Sequence, residues 1–85
     1  MGSSEADIIS AVRTYMQKEL LQSQVELPDD LALIEGGHLT SLQTVQLVMF
    51  LSEQYGVEIE PEEVNEDEFR SLKTIAALVK RKLPS

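Results

Sequence analysis

With 85 residues, no cysteine and a net charge of -8, the chain has room for one small domain and excludes disulfides, thiolate metal sites and a cysteine nucleophile. That charge argues against nucleic acid or an anionic membrane surface as a partner and favours basic protein surfaces. The lone histidine, His38, cannot build a histidine metal site unaided and has no cysteine to activate, so it reads as a loop residue. No apolar run approaches a membrane span, no secretory signal is visible, and Met1-Gly2 begins like a myristoylation signal but carries Ala6 where Ser or Thr is required. The expectation is a cytoplasmic protein with no membrane partner.

The first segment places Ile8, Ile9, Val12, Tyr15, Met16 and Leu20 at spacings of three and four, the stripe of an amphipathic helix. Ser4, with Asp7 three residues on, can cap its start, and the helix is predicted from Glu5 to Gln22. Residues 23–39 have no clean period and contain Pro28, Asp29-Asp30 and Gly36-Gly37, so they read as a loop. A loop this long needs anchors, and Leu31, Leu33, Ile34 and Leu39 can pin it to the core.

The second helix is predicted to begin sharply at Thr40, which has capping-box spacing to Gln43. From Leu42 to Tyr55 the segment is apolar over a broad arc, which predicts a central helix with Leu42, Val45, Met49 and Phe50 at least partly in the core. Gly56 is placed to end it. Seven acids then crowd Glu58 to Glu68, with Val57, Ile59, Val64 and Phe69 interleaved, Pro61 interrupting and Asn65 able to cap a short turn over Glu66 to Phe69. The acids lack the alternating ligands and central glycine of a calcium loop, so they read first as a solvated face. A last helix is predicted from Ser71 to Lys82 on the stripe Leu72, Ile75, Ala76, Val79 and Leu83, its basic end matching the helix dipole and Pro84 stopping it. The sum is an all-α fold: three main helices, one short helix and a long first loop.

The segment Thr40 to Met49, TSLQTVQLVM, resembles the bacterial fatty-acid acyl carrier protein pattern DSLDTVELVM, sharing Ser41, Leu42, Thr44, Val45, Leu47, Val48 and Met49. The likeness continues through Leu51, Glu53, Gly56 and Ile59, and Phe69-Arg70-Ser71-Leu72 with Ile75 resembles the family's junction between its third and fourth helices. Upstream, Leu33-Ile34-Glu35 with Gly37 resembles the turn before the modified serine. The resemblance implies a four-helix acyl-carrier-like bundle over 5–83 behind a disordered or expression-derived N-terminus at 1–4. It implies a free-standing carrier with 4′-phosphopantetheine attached covalently to Ser41, taken from coenzyme A by a phosphopantetheinyl transferase. The cargo would be an acyl or aminoacyl thioester, and the other partners a loading enzyme and downstream biosynthetic enzymes. No catalytic or metal residue is implied; the chain reads as a monomeric carrier, not an enzyme. Thr40, Leu42, Gln43, Val45, Gln46 and Met49 map onto the partner surface, with Leu42 and Met49 nearest the arm.

The chain departs from that pattern in charge. Thr40 stands where the family usually has Asp, and a neutral hydroxyl should weaken the transferase's metal site. Gln43 and Gln46 replace an Asp and a Glu, and Ser52 replaces a common acid, which alters steering and partner choice more than fold. These changes point away from housekeeping fatty-acid synthesis and toward a polyketide, non-ribosomal peptide or other specialised pathway, with Glu58 to Glu68 as a second recognition surface. Thr40 to Gln43 would also be a good helix start in any protein, so an unmodified carrier-like interaction or regulatory domain is the alternative.

Overall fold

Each of the three α-helices starts at a capping box, which pairs two amides that a helix start otherwise leaves without acceptors. The computed structural model describes residues 4–21 and 26–83. In it, Ser4 Oγ accepts the Asp7 amide at 3.1 Å while the Asp7 carboxylate accepts the Ser4 amide at 3.5 Å, opening α1, Glu5–Tyr15. Thr40 Oγ1 accepts the Gln43 amide at 3.2 Å and Gln43 Oε1 accepts the Thr40 amide at 3.0 Å, opening α2, Ser41–Tyr55. Ser71 and Thr74 exchange the same pair of bonds at 3.3 and 3.0 Å, opening α3, Leu72–Lys82. At the other end of α2, Gly56 takes a left-handed φ of 66° and its amide donates to the Ser52 carbonyl. Among the described residues no strand is present and no helix is long and apolar enough to cross a membrane.

The first helix departs from expectation. Regular α-helix stops at Tyr15, and Met16–Leu20 forms a π-helical turn closed by the bond from the Leu21 amide to the Met16 carbonyl at 2.7 Å. The wider turn keeps Met16 fully buried while Leu20 and Leu21 both pack half-buried against the core. Gln22, the predicted end, and the calls on Met1–Ser3 and Pro84 lie outside the described residues.

The long loop is held at its middle. Leu33 and Leu39 are buried and Leu31 and Ile34 pack against the core, as expected, and Leu27 joins them. Arg13 on α1 donates from Nε to the Leu27 carbonyl at 2.9 Å and pairs with Asp29. From the other side, the Lys73 amide donates to the Asp29 carbonyl at 2.9 Å, and the Leu33 amide donates to the Arg70 carbonyl at 2.7 Å. These bonds satisfy backbone groups that burial would otherwise strand.

Between α2 and α3 the chain makes a 3-10 turn over Pro61–Glu63, with proline at the helix start where its missing amide is harmless. The expected turn over Glu66 to Phe69 follows: Asn65 Oδ1 accepts the Glu68 amide at 2.8 Å and the Asn65 carbonyl accepts the Phe69 amide at 3.0 Å. The short fourth helix is thus a single turn that drops Phe69 into the core at 0% exposure.

One expectation is overturned. α1 packs on α3, and α2 contributes Thr44, Leu47 and Leu51 to the buried interior. Leu42, Val45 and Met49 are 68%, 52% and 58% exposed, so they are not core; only Phe50 of the four is half-buried. A three-helix bundle covers one stripe of α2, and none of the described elements lies over the opposite stripe.

Truncating Phe69 to Ala removes a fully buried ring and is expected to lower unfolding free energy by about 3–5 kcal/mol, whereas Met49→Ala should change it by less than about 0.5 kcal/mol. Urea titrations followed by circular dichroism check both, and similar losses would contradict the burial pattern.

Candidate functional site

The loop delivers an exposed serine at the first position of α2. Ser41 is solvent-accessible, Thr40 before it is the N-cap, and no acidic side chain sits in the first turn. The amides of Ser41 and Leu42 open the helix without intrahelical acceptors, so this end presents donors and a partial positive charge. Such an end suits a phosphodiester on the serine oxygen.

Beside Ser41 lies a cleft of about 510 Å³. Ile34 and Leu39 of the loop, Val45 of α2 and Val64 form its apolar walls, and Asn65 and Glu66 stand at its rim. The cleft offers an extended chain apolar contact next to Ser41. Nothing here activates the hydroxyl as a nucleophile: its chain neighbours Thr40 and Leu42 are neutral, and no described group hydrogen-bonds to it as a base. Among the described residues no cluster of acids and histidine could hold a metal ion.

Leu42, Val45 and Met49 follow Ser41 at helical spacing and form one exposed apolar row. From Ser41 to Ser52 there is no charged residue, although the whole chain carries -8. Gln46 is exposed, and its backbone carbonyl accepts the Tyr15 hydroxyl at 3.4 Å. The Tyr15 ring stacks on Phe50 at 4.1 Å and 13°. Burial foremost, with the Glu19 and Glu53 carboxylates adding to it, raises the Tyr15 phenol above its ordinary value, so it stays a neutral donor. Gln43 behaves differently from Gln46. It is half-buried, and its Nε2 donates to the Leu20 carbonyl at 3.2 Å.

The structure therefore gathers Ser41, Leu42, Val45, Gln46 and Met49 on one face, keeps Thr40 at its edge as a cap, and turns Gln43 inward. Val64 to Glu66 lie beside Ser41 in space; sequence reasoning places them in a separate acidic recognition segment, because no local pattern ties them to the serine. His38 is a half-buried loop residue. Part of the acidic stretch is neutralised within the chain: Glu63 pairs with Lys82 at 2.6 Å, Glu68 with Arg81 at 2.7 Å and Asp67 with Arg70 at 3.6 Å. Glu58, Glu62 and Glu66 remain exposed.

A family model described as a phosphopantetheine attachment site matches residues 10–80. A chain in a solved structure described as a crystal structure of FAD-dependent dehydrogenase is 33% identical, with a TM-score of 0.74, over 80% of this chain and 97% of that one. No curated protein sequence matches.

Thr40→Ala should cost about 1 kcal/mol of stability, and Thr40→Asp should be nearly neutral because a carboxylate caps as well as a hydroxyl; thermal unfolding distinguishes the two. The hydrogen bond to Lys82 is the largest cause holding the Glu63 carboxyl below its ordinary value of 4.5. A carboxyl depressed in the folded state contributes stability that is present above its unfolded value and is lost as pH falls through the lower folded one. Lys82→Met is expected to move the Glu63 titration up toward 4.5 in a carbon-detected NMR titration; an unmoved midpoint would remove the pairing.

Proposed function

The chain belongs to the phosphopantetheine attachment family, whose prosthetic group is covalently bound 4′-phosphopantetheine, and from that premise we propose that Ser41 is the attachment point of a free-standing carrier that is not itself an enzyme. The observation that carries the assignment is the exposed serine at the start of α2, flanked by free amides and by an apolar cleft of about 510 Å³.

Attachment is a group transfer from coenzyme A. The Ser41 oxygen forms a new bond to the phosphorus that carries pantetheine, the bond from that phosphorus to the adenosine bisphosphate breaks, and the serine proton leaves to a base on the transferase. The bound arm supplies a thiol that holds cargo as a thioester. This chain's residues do the rest: the Thr40–Gln43 box fixes where α2 begins, the first amides would hold the phosphodiester, and Ile34, Leu39, Val45 and Val64 would shelter the apolar part of what extends from Ser41. Bond-making on the cargo belongs to partner enzymes.

The reading extends to a carrier domain over 5–83 that acts as a cytoplasmic monomer. Its cargo is an acyl or aminoacyl group in a polyketide, non-ribosomal peptide or other specialised pathway. The row Leu42, Val45 and Met49, with Gln46 and Thr40 at its edges, is the face read by partners. Its lack of charge supports partners unlike those that read acidic carriers. The likeness to a chain in an FAD-dependent dehydrogenase structure supports a flavin-dependent dehydrogenase as one class of partner acting on the tethered cargo.

Intact-mass measurement after incubation with coenzyme A, magnesium and a broad-specificity phosphopantetheinyl transferase tests the assignment. Wild type should gain one phosphopantetheine and Ser41→Ala none; no gain with several transferases would leave an unmodified carrier-like interaction domain. Thr40→Asp should be modified faster, because a carboxylate next to the serine can add a ligand to the transferase's metal ion. An equal or slower rate would show that Thr40 is not a handicap.

A further inference from the structure

The side chain of Gln43 makes two hydrogen bonds that lie at opposite ends of the long loop. Its Oε1 accepts the Thr40 amide at 3.0 Å, at the last loop position before Ser41. Its Nε2 donates to the Leu20 carbonyl at 3.2 Å, at the end of the π turn where the first helix stops. The two loop ends are thereby joined through one amide group. Arg13 and Lys73 tie the middle of the loop to α1 and α3, the Arg70 carbonyl accepts the Leu33 amide, and the His38 and Leu39 amides donate to the Leu33 carbonyl, so the loop is held up to the residue before Thr40. We propose that Gln43 is a positioning residue for modification at Ser41, latching the two ends of the loop so that the serine is presented in one geometry.

The chemistry of the latch selects the residue type. It needs an acceptor for an amide and a donor for a carbonyl on one planar group, at the third helical position. Glutamine supplies both; an ionised carboxylate supplies acceptors only. With Glu at 43 the cap to Thr40 can persist, but an anionic oxygen would face the Leu20 carbonyl oxygen with no proton between them. The side chain would swing to solvent, and the Leu20 carbonyl would lose its partner. That carbonyl belongs to the last residue of the π turn. The Gln43 effect is therefore local to the loop ends and separate from core packing, which rests on Leu33, Leu39 and Phe69.

The proposal rests on Ser41 as the attachment point and is tested on the full chain with the same transferase and saturating coenzyme A. The substrates are wild type, Gln43→Glu and the uncharged, similarly shaped Gln43→Met. A net hydrogen bond lost from the competent conformation lowers its equilibrium constant against the unlatched forms about fivefold, which raises KM for the carrier by up to the same factor and leaves kcat unchanged. Both variants should show that split, and hydrogen exchange should speed up at His38 and Leu39 while the amides of Ile75 to Val79 in α3 keep wild-type rates. An unchanged KM in both variants overturns the role, as does exchange that is unchanged at the loop end or faster everywhere alike. A rise in KM with Gln43→Glu alone would assign the effect to charge and also overturn it. Failure of the wild-type chain to gain mass is a distinct outcome, which removes Ser41 as the attachment point and the role of Gln43 with it.

Discussion

The hydrogen-bond pair between Thr40 and Gln43 decides what the rest of the molecule presents. A helix advances by a fixed angle per residue, so its first residue sets the angle of every later side chain relative to Ser41. Thr44, Leu47 and Leu51 share one stripe, which is buried, and Leu42, Val45 and Met49 share another, which stays in water on the side of Ser41. Thr44 reinforces that start by donating its hydroxyl to the Thr40 carbonyl at 2.8 Å. Ser41, the amide donors around it and the apolar row share one helix origin.

That origin is useful only if the chain before it is held. The loop ahead of Ser41 is held from within, where the Leu31, Gly36, Gly37, His38 and Leu39 amides all donate to loop carbonyls, and from outside, by apolar side chains sunk into the core and backbone groups bonded to Arg13, Arg70 and Lys73. Single exposed ion pairs contribute little. The Arg13 contact matters more because the same guanidinium also satisfies the Leu27 carbonyl, joining helix and loop by two different groups.

Charge is distributed to match. The chain is strongly acidic, yet the face that carries Ser41 is neutral through Ser52. The acidic stretch before α3 is partly tied to the basic end of that helix, which also meets the helix dipole favourably. A partner approaching the row therefore meets apolar and amide groups, with net negative potential around it. Acidic charge and apolar contact area are thus assigned to different parts of the surface.

Sequence alone determined what depends on neighbours within one helical turn. The caps at Ser4, Thr40 and Ser71, the stop at Gly56, the Asn65 turn and the apolar anchors of the loop follow from side chains three or four positions apart, and all are present. The serine-centred motif was legible for the same reason, since its residues are contiguous. Only the tertiary structure decided which apolar stripe of α2 would be covered, because two stripes compete and the number of packed elements chooses between them. It also decided that Val64 to Glu66 flank Ser41 and that Gln43 reaches Leu20, a contact between residues 23 positions apart that no local periodicity encodes.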